Sequence, residues 1–263
     1  MIIFTAEGAF FHLARYLHRK SVDLNHKTKG DFIMAFDPSK YTVAKARPLP
    51  VILLLDRSGS MFGENINQLN ASVNEMIESF KTAGQGEVDI NVAVISFGEG
   101  GATYDVPLQP AKNIESLLCL NANGFTPMGA ALRMAKDMLE DKSIIPSSGY
   151  RPAVVLVSDG KPNDDWKDAM LAFIGSGRSS KCERFAMAIG TTEADEILNK
   201  FLSGTENKVF RADQATQIRD FFKFVTMSVS VRSRSQNPNA LLPAASNTPA
   251  RLEDLAKEFG LDL

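Results

Sequence analysis

The chain has 263 residues, 44% of them apolar, with 29 Lys and Arg against 31 Asp and Glu, enough to bury the core of one large α/β domain without covalent staples. Its basic residues are scattered rather than clustered, which excludes the electrostatic footprint of a nucleic-acid or acidic-membrane binder. Two cysteines, Cys119 and Cys182, lie far apart and outside any CxxC pair, which argues against structural zinc, a thioredoxin-type motif and a disulfide-rich secreted scaffold.

Residues 1–49 read as an N-terminal extension. Its opening run MIIFTAEGAFFHLARYLHRK carries Glu7 inside the apolar part and places its basic residues after that part, the wrong order for a signal peptide. The run is also too short for a membrane span, so a cytoplasmic protein is expected. A helix is predicted near residues 9–19. His12, His18 and His26 all lie in this extension and read as surface histidines, because HLARYLH lacks the Glu of a zinc peptidase. The rest of the chain has no histidine for a Ser-His-Asp arrangement. Arg47-Pro48-Leu49-Pro50 then marks the approach to a first strand.

Over residues 50–232 short apolar runs alternate with helical patterns. VILLL (51–55), INVAVISF (90–97), AVVLV (153–157) and RFAMAI (184–189) predict strands apolar on both faces, as in a parallel sheet covered by helices. Ile66, Leu69, Val73, Ile77 and Phe80 share one helix face, and Ile218, Phe221, Phe222, Val225 and Val229 share another. ATYDVPL (102–108) follows a strand through Gly98, Gly100 and Gly101, so it predicts an antiparallel edge partner. The expected architecture is a doubly wound, mostly parallel sheet of about six strands with helices on both faces. Residues 233–263 read as a linker and a short amphipathic helix, with Thr248-Pro249 at its start and Leu252, Leu255, Ala256 and Phe259 on one face. That helix either packs on its own domain or docks into a partner.

The chemistry is concentrated at the strand ends. In DRSGSM, Asp56, Ser58 and Ser60 follow the first core strand at alternate positions; in VSDGKPND, Asp159 follows another strand. Thr126 sits in a third loop, NGFTPMG, just before a helix. Ligands of doubly wound sheets sit outside the carboxyl ends of the strands, so the five oxygen side chains are expected to converge. Oxygen-only donors suit a hard divalent cation, Mg²⁺ wanting about six of them at about 2.1 Å. Gly59 is expected to relax the backbone so that Ser58 and Ser60 both turn inward. Three of the donors are neutral hydroxyls, so a divalent ion with one of the two carboxylates held at a distance through water keeps residual positive charge, which a carboxylate from another protein would satisfy. Taken alone, DRSGS is also a strand-to-helix turn in which Ser caps the next helix. An aspartyl-phosphate phosphatase with Asp56 as nucleophile is the enzymatic alternative, but such enzymes need a second Asp where this chain has Ser58. Lys161 and the pair Asp164 and Asp165 are more simply a solvated loop and a helix N-terminus.

Together, DRSGSM (56–61), TPMGAAL (126–132) and VSDGKPND (157–164) resemble, in order and strand context, the metal-ion-dependent adhesion site of von Willebrand factor A domains over roughly residues 50–232. The resemblance implies a Rossmann-like sheet and a non-enzymatic, metal-mediated protein-binding function. It implies Asp56, Ser58, Ser60 and Thr126 as ligands, with Asp159 binding directly or through water, and Mg²⁺ as the ion, with Mn²⁺ or Ca²⁺ as substitutes. Gly59 and Gly124 are expected to shape the loops, and Phe62, Pro127, Met128 and Lys161 to form the rim a partner touches. The motifs are similar to those of compact bacterial TerY-like proteins associated with tellurium resistance, which implies a protein kinase or PP2C-like phosphatase as partner. With its site on the rim, Asp56→Ala is expected to remove metal binding and leave the fold intact. In that family the last helix, here around residues 213–231, is the element expected to shift.

Overall fold

The computed structural model describes residues 46–83, 88–190 and 192–239. The helix expected near residues 9–19, the three histidines, the run that suggested a cytoplasmic protein and the tail helix at 252–259 lie outside those residues. Six strands form one sheet: β1 (Arg47–Asp56), β2 (Val88–Gly98), β3 (Gly101–Pro110), β4 (Ala153–Ser158), β5 (Glu183–Ile189) and β6 (Phe210–Ala212). Their order is β3-β2-β1-β4-β5-β6. Only β3 runs antiparallel, paired with β2 through the two-residue turn Glu99-Gly100. Gly100 and Gly101 take φ of +79° and +104° there, a conformation that suits glycine.

Among the described residues five helices cover the sheet: α1 (Glu64–Ala83), α2 (Met128–Glu140), α3 (Trp166–Gly175), α4 (Asp195–Phe201) and α5 (Ala215–Arg234). The pleat of β1 sorts its side chains between two cores. Leu49, Val51, Leu53 and Leu55 join the core under α1 and α5, whereas Ile52 and Leu54 join the core under α2, α3 and α4. The two stripes read from helical spacing at 66–80 and 218–229 are buried as expected, Phe80 and Phe222 included. Burial of each such side chain contributes roughly 1.5–3 kcal/mol, so the scaffold that presents the strand ends is rigid.

Two sequence expectations are corrected here. Pro48 and Pro50 lie inside β1 rather than ahead of it. β1 pairs β2 from Arg47 onward but meets β4 only from Val51. The Pro48 carbonyl accepts from the Tyr150 N–H at 2.8 Å on the β4 side, so Pro48, and Pro50 two residues on, turn their nitrogens away from β2, where a missing donor costs no ladder bond. The sixth strand, predicted in number but not located, is the three-residue β6, too short to show a period.

The end of the domain is tied down by a buried ion pair. Arg232, in the last turn of α5, bonds the Glu183 carboxylate, and its remaining donors reach the carbonyls of Arg151 and Pro238 at 2.8–3.1 Å. Asn239 accepts from the Arg151 N–H at 2.7 Å, so the first residues of the expected linker are bonded to the domain.

Candidate metal centre

Chain direction places the candidate residues together. From β1 the chain crosses to β2 on one side, whereas β4, β5 and β6 build outward on the other. The strand order therefore reverses between β1 and β4, the position where open α/β sheets hold ligands. Asp56 ends β1, and Ser158 ends β4 with Asp159 next in the chain.

Asp56 is fully buried and engaged at both oxygens: Oδ1 accepts from the Ser58 N–H at 2.8 Å and Oδ2 from the Ser158 hydroxyl at 2.6 Å. Ser58 and Ser60 hydroxyls lie 3.1 Å apart, and Ser60 Oγ donates to Asp159 Oδ1 at 2.8 Å. The serines come together because residues Gly59–Met61 make one 3-10 turn, pinned inward by buried Met61. Ser58 opens that turn without a side-chain cap, so the helix-capping reading of DRSGS is not what the side chain does.

The Thr126 loop is attached to this turn through the backbone. Gly59 N–H donates to Gly124 O at 2.9 Å, and Asn123 N–H to Arg57 O at 2.8 Å. Thr126 is itself buried; its N–H donates to Asn163 Oδ1 at 3.1 Å and its carbonyl accepts from Asn163 N–H at 3.2 Å, which joins the second loop to the third. Gly124 has φ +78°, and a Cβ there would lie 2.6 Å from the Glu99 backbone. Gly59 is not strained and has room for a Cβ, so the expected backbone relaxation belongs to Gly124 alone.

The electrostatics fit a cation. Burial is the main force pushing the Asp56 carboxyl up from 3.8 to about 6; hydrogen bonds from Ser158 and Ser58 pull it back and the Asp159 charge raises it further. Burial also raises Asp159, against the Ser60 hydrogen bond. Neither acid has a Lys or Arg ion-pair partner among the described residues. Two buried carboxylates without a protein counter-charge are costly unless something positive joins them. The donor chemistry, carboxylate and hydroxyl oxygen only, fits Mg²⁺, Mn²⁺ or Ca²⁺ better than a thiol- or imidazole-seeking metal. No group of three or more His, Cys, Asp or Glu side chains offers an alternative among the described residues.

Around this centre the expected rim is revised. Phe62 is 80% exposed, Lys161 is exposed and Pro127 is half-buried. Met128 is fully buried: as the first residue of α2 it faces the sheet and packs in the core beneath α2, α3 and α4, so it is core and not rim. Sequence reasoning missed Phe125, 75% exposed on the second loop, although an aromatic between Gly124 and Thr126 in a loop with no strand or helix period was a readable signal. It also missed Ser158, the buried donor to Asp56, and Asp164, whose carboxylate accepts from the Gly129 and Ala130 N–H groups at 2.9 and 2.8 Å and so caps α2. Asp56→Ala, expected to leave the fold intact, would on this geometry carry a stability cost, since removing the carboxylate orphans two buried donors.

Comparison with known proteins agrees with this fold. The inter-alpha-trypsin inhibitor heavy chain H6 of Homo sapiens is 22% identical over 189 residues, 67% of this chain and 14% of the relative, so the chain spans only a small part of that protein's length. Proximal thread matrix protein 1 from the mussel byssus superposes with a TM-score of 0.55 at 20% identity, over 69% of this chain and 48% of the other. A further structure of that mussel protein, with a zinc-occupied metal-ion-dependent adhesion motif, superposes at 0.51 and 15% identity, over 69% of this chain and 48% of the other. The model of the von Willebrand factor type A domain matches residues 51–224, about two thirds of the sequence, and the chain belongs to that family.

Proposed function

We propose that this protein binds a divalent cation, Mg²⁺ or a close substitute, through Asp56, Ser58, Ser60, Thr126 and Asp159, and uses it to grip an Asp or Glu carboxylate on a protein partner. The observation that carries this reading is the pair of buried, uncompensated carboxylates hydrogen bonded into a hydroxyl cluster at the sheet's switch point. When bound, the cation supplies positive charge that stays only partly neutralised with one of the two carboxylates held through water. The chain's own residues do the rest: Ser58 N–H and Ser158 hold the Asp56 carboxylate still, the Gly59 to Gly124 bond keeps the Thr126 loop alongside, and Phe62 and Phe125 flank the opening with apolar surface. Lys161, exposed on the third loop, adds a second cationic contact for an acidic partner.

The phosphatase alternative loses ground on geometry. Such an enzyme needs a second acid two positions after the nucleophile for proton transfer, and here Ser58 holds that position with its hydroxyl 3.1 Å from Ser60 Oγ. The TerY-like resemblance of DRSGSM and VSDGKPND supports a partner in a stress system containing a protein kinase or PP2C-like phosphatase. The test is affinity capture from host lysate in Mg²⁺ and in chelator, with wild type beside Asp56→Asn. A partner retained only by wild type in Mg²⁺ is expected; the same proteins in all four samples would refute metal-bridged binding.

A further inference from the structure

At the opposite end of the sheet from Asp56, a cavity of about 260 Å³ opens beneath the start of β5. Its lining includes Arg151, Lys181 and Arg184, with Glu183 and Glu206 as the acids. Glu183 is neutralised within the fold by Arg232, and Glu206 is exposed. Arg184 is the unusual member. It is one of the largest fully enclosed side chains, 2% exposed, and has no carboxylate partner among the described residues. Its Nη1 and Nη2 donate to the carbonyls of Ser180 and Ser203 at 3.0 and 2.6 Å, but its buried Nε has no hydrogen-bond partner.

A buried guanidinium supported only by carbonyls carries a desolvation cost that no formal negative charge offsets, and burial accordingly holds Arg184 below its ordinary range. Two more cationic residues, Arg151 and Lys181, line the cavity. The side chains of Arg151 and Lys181 make no hydrogen bond or ion pair among the described residues. Guanidinium groups with free N–H donors match phosphate oxygens in geometry and charge, and the excess of cations suits a dianion better than a single carboxylate. We infer that this cavity is a binding site for a small phosphate-bearing ligand, independent of the metal centre at the other end of the sheet. The cavity has room for a phosphoryl group with a small organic substituent.

The test is calorimetric titration of the full chain with inorganic phosphate and with glycerol phosphate, against chloride at matched ionic strength. The comparison variant is Arg151→Ala/Lys181→Ala, in which both replaced side chains are free of hydrogen bonds and the fold is expected to persist. Wild type should saturate with either phosphate and not with chloride, and the double variant should bind at least about tenfold more weakly, about 1.4 kcal/mol. Tighter binding of the ester would identify the ligand as a phosphomonoester, and tighter binding of phosphate would identify the free ion; both support the site. No saturation of wild type by either probe, or equal affinity in the double variant, would overturn it.

Discussion

Replacing Asp56 by Asn should stabilise the metal-free protein while destroying its metal site. Asn is nearly isosteric: its carbonyl can still accept from the Ser58 N–H, and its amide can donate to Ser158 Oγ, so the contacts at 2.8 and 2.6 Å survive in altered polarity. What disappears is the buried charge. The step in the Asp56 carboxyl from 3.8 to about 6 corresponds to about 3 kcal/mol of penalty on the ionised form. The folded state holds the proton more tightly than the unfolded state, so metal-free wild type loses this stability as pH rises from about 4 to about 6 and does not regain it above. Urea unfolding in chelator, followed by circular dichroism, should therefore find Asp56→Asn more stable than wild type by up to about 3 kcal/mol at pH 7.5, with the gap closing near pH 4. Adding Mg²⁺ should raise only wild type, closing most of the gap with about 2.7 kcal/mol at a hundredfold excess over Kd and reversing the order with about 4.1 kcal/mol at a thousandfold excess. An Asn variant no more stable than wild type in chelator, or equally favoured at both pH values, would refute the idea that Asp56 sits in a site built for a cation.

Arg232→Met should cost about 3–5 kcal/mol in denaturant unfolding by leaving the Glu183 carboxylate buried and unpaired, and adding Glu183→Leu should recover most of that loss. Gly124→Ala should destabilise by at least about 1 kcal/mol and weaken metal affinity as well, because the positive φ and the Glu99 backbone both oppose a Cβ; a thermal melt together with a metal titration checks both effects. Phe62→Ser and Phe125→Ser should leave the melting temperature within a few degrees of wild type yet reduce metal-dependent capture of partner, since both rings face solvent at the site.

The sheet was legible because its evidence is local. Apolar runs such as VILLL and AVVLV announce strands buried on both faces, and an acid or hydroxyl placed directly after them has only the carboxyl end of the sheet to occupy. The ligand loops could be read for the same reason. Other features depend on contacts between distant parts of the chain. Whether Met128 points to solvent or core depends on how the first turn of α2 lies on the sheet. Pro48 and Pro50 fit in β1 only because β4 starts later than β2. The hydroxyl that engages Asp56 Oδ2 belongs to Ser158, 102 residues away. Arg232 with Glu183, and Arg184 with its free Nε, are single charged residues in unremarkable sequence, and only the fold reveals that each is enclosed.

The most direct measurement is titration of the metal-free chain with Mn²⁺ followed by electron paramagnetic resonance, comparing wild type with Ser58→Ala/Ser60→Ala and with Asp159→Asn. One ion per chain is predicted for wild type, displaced by excess Mg²⁺, with affinity reduced at least about tenfold in each variant. Wild type that leaves Mn²⁺ free in solution, or variants that bind it as tightly, would contradict the account.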